Sequence, residues 1–172
     1  TAHRSESRAP FGDLFRGALG RRTLKTTHLN DGAPIANVTD SATWVNLSTP
    51  GYVWYNNDAV TYADYGILYN GMTVNTGLLC PAGWHVPTEA EVNIAITFGG
   101  GPLVAGGSFK EPGTAHWQAP NTGTLADTQF GLLPGGYRTD LGIFSGVGTY
   151  GTWWTSTKIA IDPTGFSATY NS

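Results

Sequence analysis

The chain has 172 residues, of which only 12% are charged, whereas about a quarter of the residues in a typical globular protein are charged. It contains 24 Gly, 6 Trp, 8 Tyr and 7 Phe, and this excludes a disordered chain, because disordered chains contain few aromatic residues. No run of 18 or more apolar residues is present, which excludes a membrane-spanning helix. The first residues show no charged segment followed by an apolar one, as expected of a mature or cytosolic chain.

The first 22 residues differ in charge from the rest, and we predict a basic arm at residues 1–22 followed by one domain at residues 23–172. The first 25 residues contain six basic and two acidic residues, whereas the remainder contains three basic and ten acidic ones. An acidic body repels a phosphate backbone, so nucleic acid is not an expected partner. Apolar residues at helical spacing predict a short amphipathic helix in the arm, which packs on the domain or on a neighbouring subunit. They are Phe11, Leu14, Phe15, Ala18 and Leu19.

Most of the domain is predicted to form short strands joined by turns. Aromatic and β-branched residues indicate strands at residues 43–47, 52–55, 67–70, 130–133, 152–157 and 166–170. Clusters of Asn, Asp, Gly and Pro indicate turns at residues 30–32, 56–58, 134–136 and 162–165. The expected architecture is therefore α+β, with short strands, one or two helices and long ordered loops.

The clearest helix is predicted to begin after Thr88. The sequence Thr88-Glu89-Ala90-Glu91 has the form of a capping box, in which the Thr88 hydroxyl accepts from the Glu91 amide and the Glu91 carboxylate reaches back. The glycines at residues 99–101 are expected to end this helix. A second helix over residues 59–66 is weakly supported, because Gly66 ends it early.

Residues that carry catalysis are sparse. Cys80 is the only cysteine, which excludes an internal disulfide, a cysteine-based zinc site and a two-cysteine redox mechanism. We expect Cys80 to be a small buried residue. His85 is expected in a buried strand formed by residues 84–86, and His116 is expected in a loop. No nucleophile elbow is present, so the sequence predicts no catalytic residues and no cofactor.

Two further patterns have simple structural explanations. Residues 146–151 match the dinucleotide pattern GxGxxG, but a strand-like segment follows where that pattern requires a helix. We therefore interpret the segment as a glycine-rich loop. Oxygen-bearing side chains are concentrated at residues 56–58 and at Asp64, and calcium prefers such ligands. The EF-hand spacing is absent, however, and an Asx-rich turn is favoured over a metal site.

Motif blocks occur in order along residues 23–170. The most specific is CPAGWHVPTEAE at residues 80–91. The others are LKTTHLNDG (24–32), WYNND (54–58), YGILYN (65–70), FKE (109–111), GLLPGGYR (131–138) and WWTST (153–157). With these blocks the chain resembles the Fibrobacter succinogenes major paralogous domain family.

The resemblance implies a C-type-lectin-like fold, related to that of the formylglycine-generating enzyme. The enzymatic branch of this fold needs a pair of active-site cysteines, whereas Cys80 is alone here and matches a structural Cys-Pro-x-Gly-Trp motif. The resemblance therefore implies no enzymatic activity. Family members are typically secreted or surface proteins, which implies a secreted, cell-surface or virion-surface location.

Similar domains also serve as the variable ligand-binding proteins of diversity-generating retroelements, including phage receptor-binding proteins. Their variable positions lie near the C-terminus of the fold among fixed Gly and Trp residues, and the matching stretch here is residues 132–154. The resemblance implies a fixed frame formed by residues 134–138, Gly142, Phe144, Gly148, Gly151, Trp153 and Trp154. It implies ligand-binding positions at Thr139, Asp140, Leu141, Ile143, Ser145, Tyr150 and Thr152, with Val147 and Thr149 also free to vary.

Two functions follow as expectations. The first is a non-enzymatic extracellular binding or adhesion module, in which a Gly/aromatic loop at residues 139–154 meets a glycan or protein ligand. The second is a self-assembling subunit of a surface fibre, pilus or virion, whose arm contacts other copies of the chain. The second rests on departures from the family, since the arm replaces the usual first strand pair and the usual final strand is missing. A missing strand exposes a sheet edge that a neighbouring chain can complete.

Overall fold

A computed structural model of the chain describes residues 25–124, 130–159 and 162–169. Within these ranges the protein has a mixed α+β fold with two β-sheets and four short helices, rather than the one or two helices expected. The longest helix has 10 residues, and no helix in the described ranges is long and apolar enough to cross a membrane. The predicted arm helix lies outside the described residues.

The first sheet contains three strands in the order β1-β2-β3. β1 (Ala36–Asn37) runs parallel to β2 (Gly51–Trp54), and β3 (Ile67–Tyr69) runs antiparallel to β2. The strands predicted at residues 52–55 and 67–70 are thus confirmed. One face of this sheet packs into a first core cluster, which consists of Ile35, Tyr52, Ile67, Val74 and Leu79.

The second sheet contains four strands in the order β5-β4-β6-β7. They are β4 (Gly135–Arg138), β5 (Phe144–Val147), β6 (Tyr150–Ile159) and β7 (Asp162–Thr169). β4 pairs antiparallel with β5 and parallel with β6, and β6 pairs antiparallel with β7. The strands predicted at 152–157 and 166–170 lie in β6 and β7, apart from Tyr170, which lies outside the described residues.

Three loop or turn predictions in this sheet are wrong. Residues 162–165 belong to β7, because Asp162 pairs with Ile159 on β6. Residues 135 and 136 belong to β4: a Cβ on Gly136 would lie 2.5 Å from the Ser145 carbonyl oxygen and 2.9 Å from the Tyr55 ring. Glycine is needed there for close approach rather than for a turn. The expected loop at 139–154 is largely strand, since it contains β5 and the start of β6.

Helix α1 (Ser41–Val45) occupies the place of the strand predicted at residues 43–47. The β-branched and aromatic residues there favour a strand, but Asp40 caps a helix instead. Its Oδ1 accepts hydrogen bonds from the Thr43 amide at 2.7 Å and from the Thr43 hydroxyl at 2.6 Å. Helix α2 (Gly71–Asn75) is capped in the same way by Asn70. In both cases a side-chain cap outweighs weak local propensity.

Helix α3 (Glu89–Phe98) confirms the predicted capping box. The Thr88 hydroxyl accepts from the Glu91 amide at 3.2 Å, and the Thr88 amide donates to the Glu91 carboxylate at 2.8 Å. This backbone hydrogen bond, helped by His85, lowers the pKa of Glu91. The helix predicted at residues 59–66 is only a 3-10 turn, Ala63–Tyr65.

A second core cluster forms around helix α4 (Ala105–Phe109) and contains Ala95, Ala105 and Phe109, with Phe130 and Leu132 packed against it. Leu132 makes only a single β-bridge, so the strand predicted at 130–133 is wrong. The buried strand predicted at 84–86 is also wrong. Trp84 is 39% exposed, and its amide closes a turn onto Pro81.

Candidate ligand-binding face

The hairpin that joins β4 to β5 is closed by bonds between Thr139 and Ile143. The Thr139 amide donates to the Ile143 carbonyl at 2.8 Å, and the Ile143 amide donates to the Thr139 hydroxyl at 3.1 Å. Gly142 has a φ of +76° and its Cα faces Ser41, where an added Cβ would lie 2.8 Å from the Ser41 Cβ. The hairpin therefore rests against the start of α1.

Arg138 fastens this hairpin to the segment that follows β1. Its guanidinium donates to three backbone carbonyls: Nη1 to Val38 at 2.6 Å, Nη2 to Thr39 at 3.0 Å, and Nε to Gly142 at 3.0 Å. The same group lies over the Trp44 ring, 4.6 Å from its centroid. A planar fork of donors suits several acceptors at once, so Arg138 holds the hairpin in place rather than facing a ligand.

Strands β6 and β7 expose one side of the second sheet. Along β6, exposed Thr152 and Trp154 alternate with less exposed neighbours, and along β7 exposed Gly165 and Ser167 precede buried Ala168. Thr152 pairs with Ser167, and Trp154 pairs with Gly165. Because directly paired residues project to the same side of a sheet, these four lie on one surface.

Strands β4 and β5 extend this surface. Tyr137 pairs with Ser145, and both are exposed. Thr139 and Ile143 form the next pair on the same side, since side chains alternate with a period of two. Tyr137 also contacts Tyr150 of β6, which joins the two halves. We call this surface the outer sheet face; its members are Tyr137, Thr139, Ile143, Ser145, Tyr150, Thr152, Trp154, Gly165 and Ser167.

The aromatic side chains of the outer sheet face are held in fixed positions. The Tyr137 and Tyr150 rings meet edge to face, with centroids 5.6 Å apart. The Trp154 Nε1 donates to the Tyr69 carbonyl at 2.9 Å, which leaves the ring 38% exposed. Tyr137 is 37% exposed. Rings that are ordered before binding lose little conformational entropy when a ligand arrives.

The chemistry of the outer sheet face is neutral. Its nine members carry hydroxyl groups, aromatic rings and one aliphatic side chain, and none is Asp, Glu, Lys, Arg or His. Such a surface offers hydrogen bonds and ring faces for stacking, a composition that also characterises antibody binding sites. It suits an uncharged ligand better than an anionic one.

The structure brings five of the seven predicted ligand-binding residues together on this face. They are Thr139, Ile143, Ser145, Tyr150 and Thr152. The other two, Asp140 and Leu141, lie at the tip of the β4–β5 hairpin, where Asp140 is exposed and Leu141 is 65% exposed. The tip adjoins the face but extends beyond the paired part of the sheet.

Sequence reasoning missed Tyr137, Trp154 and Ser167. The first two were assigned to the fixed frame, although the alternating pattern from Tyr150 onward places Trp154 on the same side as Thr152. Ser167 reaches the face only through its pairing with Thr152. No pattern within one strand reveals that neighbour.

The Asp, Glu, His, Cys, Lys and Arg side chains of the described residues lie outside the outer sheet face. Burial raises the pKa of the Cys80 thiol, which makes it a weak nucleophile at neutral pH. The parts of the chain that the structure describes contain no group of three His, Cys, Asp or Glu residues able to hold a metal ion. The Asp58 carboxylate instead accepts from the Val60 and Thr61 amides, both at 2.9 Å. These are bonds of an Asx turn.

Glu111 and His116 form a carboxylate–imidazole pair within a loop. The His116 Nδ1 lies 2.7 Å from the Glu111 Oε2, and the Tyr65 ring meets the imidazole edge-on at 5.3 Å. The loop position of His116 was predicted correctly. The Tyr65 hydroxyl also donates to the His116 carbonyl at 3.5 Å, so these contacts fasten the loop to the segment before β3.

Lys110 is a structural residue that the sequence did not reveal. It is 0% exposed, and its Nζ donates to the Thr122 carbonyl at 2.9 Å and to the Thr169 carbonyl at 2.8 Å. The ammonium also lies 5.3 Å from the centroid of the Trp117 ring. Thr169 ends β7, so Lys110 holds the outer edge of the sheet that carries the outer sheet face.

One comparison with known proteins identifies relatives of this chain. The family model described as the Fibrobacter succinogenes major domain matches residues 21–167. The match covers all four helices, every member of the outer sheet face, and both sheets apart from the last two residues of β7. Neither the curated proteins nor the solved structures give a match.

Proposed function

The chain belongs to the Fibrobacter succinogenes major domain family, and from this membership and the outer sheet face we propose that it is a non-enzymatic binding module. The ligand is a neutral glycan or a protein surface, and the protein acts outside the cell, on a cell or virion surface. The support for this location is the family resemblance. The same resemblance supports a C-type-lectin-like fold for the two-sheet architecture.

The observation that carries the proposal is the outer sheet face itself. Exposed aromatic rings and hydroxyls are held there by strand pairing and by the bond from Trp154 to Tyr69. A solvated sheet face needs no exposed tryptophan for folding, since polar residues suffice on that side. Aromatic residues are also the side chains that most often anchor protein interfaces.

The absence of charge on the face favours particular ligands. A surface without ionised groups gains little from a phosphate, sulfate or carboxylate group. Pyranose rings and uncharged protein patches instead match stacking surfaces and hydroxyl groups. We therefore expect the affinity to change little between low and high salt, because screening acts on charges.

A binding screen tests the proposal. The full chain is applied to an array of neutral and acidic glycans and to a panel of extracellular proteins. Tyr137→Ala and Trp154→Ala should each weaken binding of any hit about tenfold or more, the effect typical of aromatic anchors. Phe98→Ala is the matched control, because Phe98 is 78% exposed but lies on α3 outside the face.

The screen also has clear negative results. Binding that survives both face substitutions, or that Phe98→Ala weakens equally, refutes the assignment of the face. Hits confined to acidic glycans, with affinity lost at high salt, refute the neutral ligand. If neither the array nor the panel yields a hit, the proposal of a binding module fails for those ligand classes.

A further inference from the structure

The two core clusters of the domain are separated by a cavity of about 410 Å³. Val74 and Leu79 of the first cluster line one side, and Phe130 and Leu132 beside the second cluster line another. The remaining wall is mostly aromatic and includes Tyr69, Trp84, Trp153 and Phe166. We call this space the inter-sheet cavity; it reaches the surface at Trp84, which is 39% exposed.

The cavity is partly open to solvent rather than enclosed, so an apolar segment can enter it. Fully enclosed protein interiors have few voids larger than a water molecule. Most residues of the cavity wall are apolar, and the side chains there that can ionise are those of His85, Arg138, Cys80 and three tyrosines. A water molecule would therefore find few hydrogen-bond partners in the cavity. An apolar group that filled it would add the contacts that the wall residues lack.

The start of the described chain lies at the wall of the cavity. The Tyr69 hydroxyl donates to the Thr26 carbonyl at 2.7 Å, and Tyr69 lines the cavity. Residues 20–25 separate the apolar stripe of the arm from Thr26, and six extended residues reach about 20 Å. The tether thus holds the stripe within reach of the cavity at a high effective concentration.

The arm also has suitable chemistry. Its apolar residues at helical spacing, Phe11, Leu14, Phe15 and Leu19, have no purpose in a solvated tail. Its basic residues complement a body in which ten acidic residues face three basic ones. The apolar side chains of the arm can fill the cavity, while the arginines of the arm remain at the acidic surface of the domain.

We propose that residues 11–19 of the arm dock into the inter-sheet cavity of their own chain and complete its core. The arm is then an intramolecular part of the fold rather than a contact arm for other copies. Tyr137, Thr152 and Trp154 belong both to the outer sheet face and to the wall of this cavity, so the docked arm borders the proposed ligand-binding surface.

Cys80 provides a native probe, because it lines the inter-sheet cavity and is the only cysteine of the chain. The rate of its reaction with a small maleimide is followed by intact mass in the full chain. Replacing Leu14 and Phe15 together by Ser should increase this rate about tenfold, since a protected thiol reacts through the open population. Ser7→Ala, a neutral substitution off the stripe, should leave the rate unchanged.

Cross-linking distinguishes docking within a chain from docking between chains. Phe11, Leu14 and Phe15 are replaced by Cys one at a time, and each variant is oxidised at low protein concentration. At least one should form a disulfide with Cys80 within a monomer, because only neighbouring Cα atoms can be bridged. Ser5→Cys is the control and should not. Disulfide-linked dimers overturn the proposal. So does the absence of any cross-link to Cys80, if the Leu14/Phe15 double variant also reacts with maleimide at the rate of the unchanged protein.

Discussion

Replacing Arg138 by Lys tests whether the guanidinium fork holds the β4–β5 hairpin. The substitution keeps the positive charge and most of the aliphatic stem. It replaces a planar group that bonds three carbonyls, those of Val38, Thr39 and Gly142, by a single ammonium. One nitrogen cannot occupy the positions of Nη1, Nη2 and Nε together, so Lys keeps about one of the three bonds.

The expected loss follows from those bonds. Hydrogen bonds that involve a charged group contribute about 1.5–3 kcal/mol each. Arg138 is only half-buried, so water replaces part of what is lost, and we expect the free energy of unfolding to fall by about 2 kcal/mol in total. For a chain of this length the corresponding decrease in Tm is about 4–8 °C.

Urea unfolding followed by tryptophan fluorescence, together with calorimetry, measures the change. The midpoint should decrease while the slope m stays constant, because the surface exposed on unfolding is the same. Lys158→Gln removes an exposed cation of β6 and serves as the control, with an expected change below about 0.5 kcal/mol. If Arg138→Lys is as stable as this control, the hairpin does not depend on the fork.

Three further predictions concern stability. Glu91→Gln should flatten the acid dependence of urea unfolding: its pKa is lowered, chiefly by the Thr88 amide, so its contribution is present above the ordinary pKa of 4.5 and is lost as the pH falls further. If the free energy of unfolding of the unchanged protein and of Glu91→Gln falls equally with pH, the prediction is wrong. Lys110→Met should cost about 3 kcal/mol in urea unfolding, because the carbonyls of Thr122 and Thr169 lose a charged donor. An unchanged midpoint would count against it. Gly136→Ala should lower stability by about 3 kcal/mol through strain at φ +65° and overpacking. Gly113→Ala is the control: its φ is +82°, but no atom lies within 4 Å of the added Cβ, so it should cost only about 1 kcal/mol. Calorimetry compares the two variants, and an equal loss of stability in both would exclude the packing effect at Gly136.

Local patterns predicted those elements whose cause is local. The helix after Thr88 has both halves of a capping box within four residues, and the start of β6 alternates with period two. By contrast, α1 forms where β-branched residues favour a strand, because one Asp40 carboxylate bonds both donors of Thr43. The glycines of β4 look like a turn until the Tyr55 ring and the β5 backbone are seen beside them.

For the candidate site, the sequence predicts which residues contribute and on which side of their strand they lie, but not which strands are neighbours. The family resemblance located residues 139–152, and strand alternation carries Ser145, Tyr150 and Thr152 to one side of the sheet. The neighbours in space depend on strand order, since β6 lies between β4 and β7. That order follows from tertiary packing, which no spacing along the chain encodes.

The bonds of Arg138 also constrain the order in which the chain can fold. They join residues 99 and 100 positions apart, and the Ser41 hydroxyl reaches Gly142 across 101 positions. A nascent chain that has emerged as far as α4 therefore lacks the partners that fasten α1 and the segment after β1. Contacts this distant in sequence slow folding, because the loop between them must close first. Helix α1 and the segment after β1 therefore gain these bonds only after β4 and its hairpin have been synthesised.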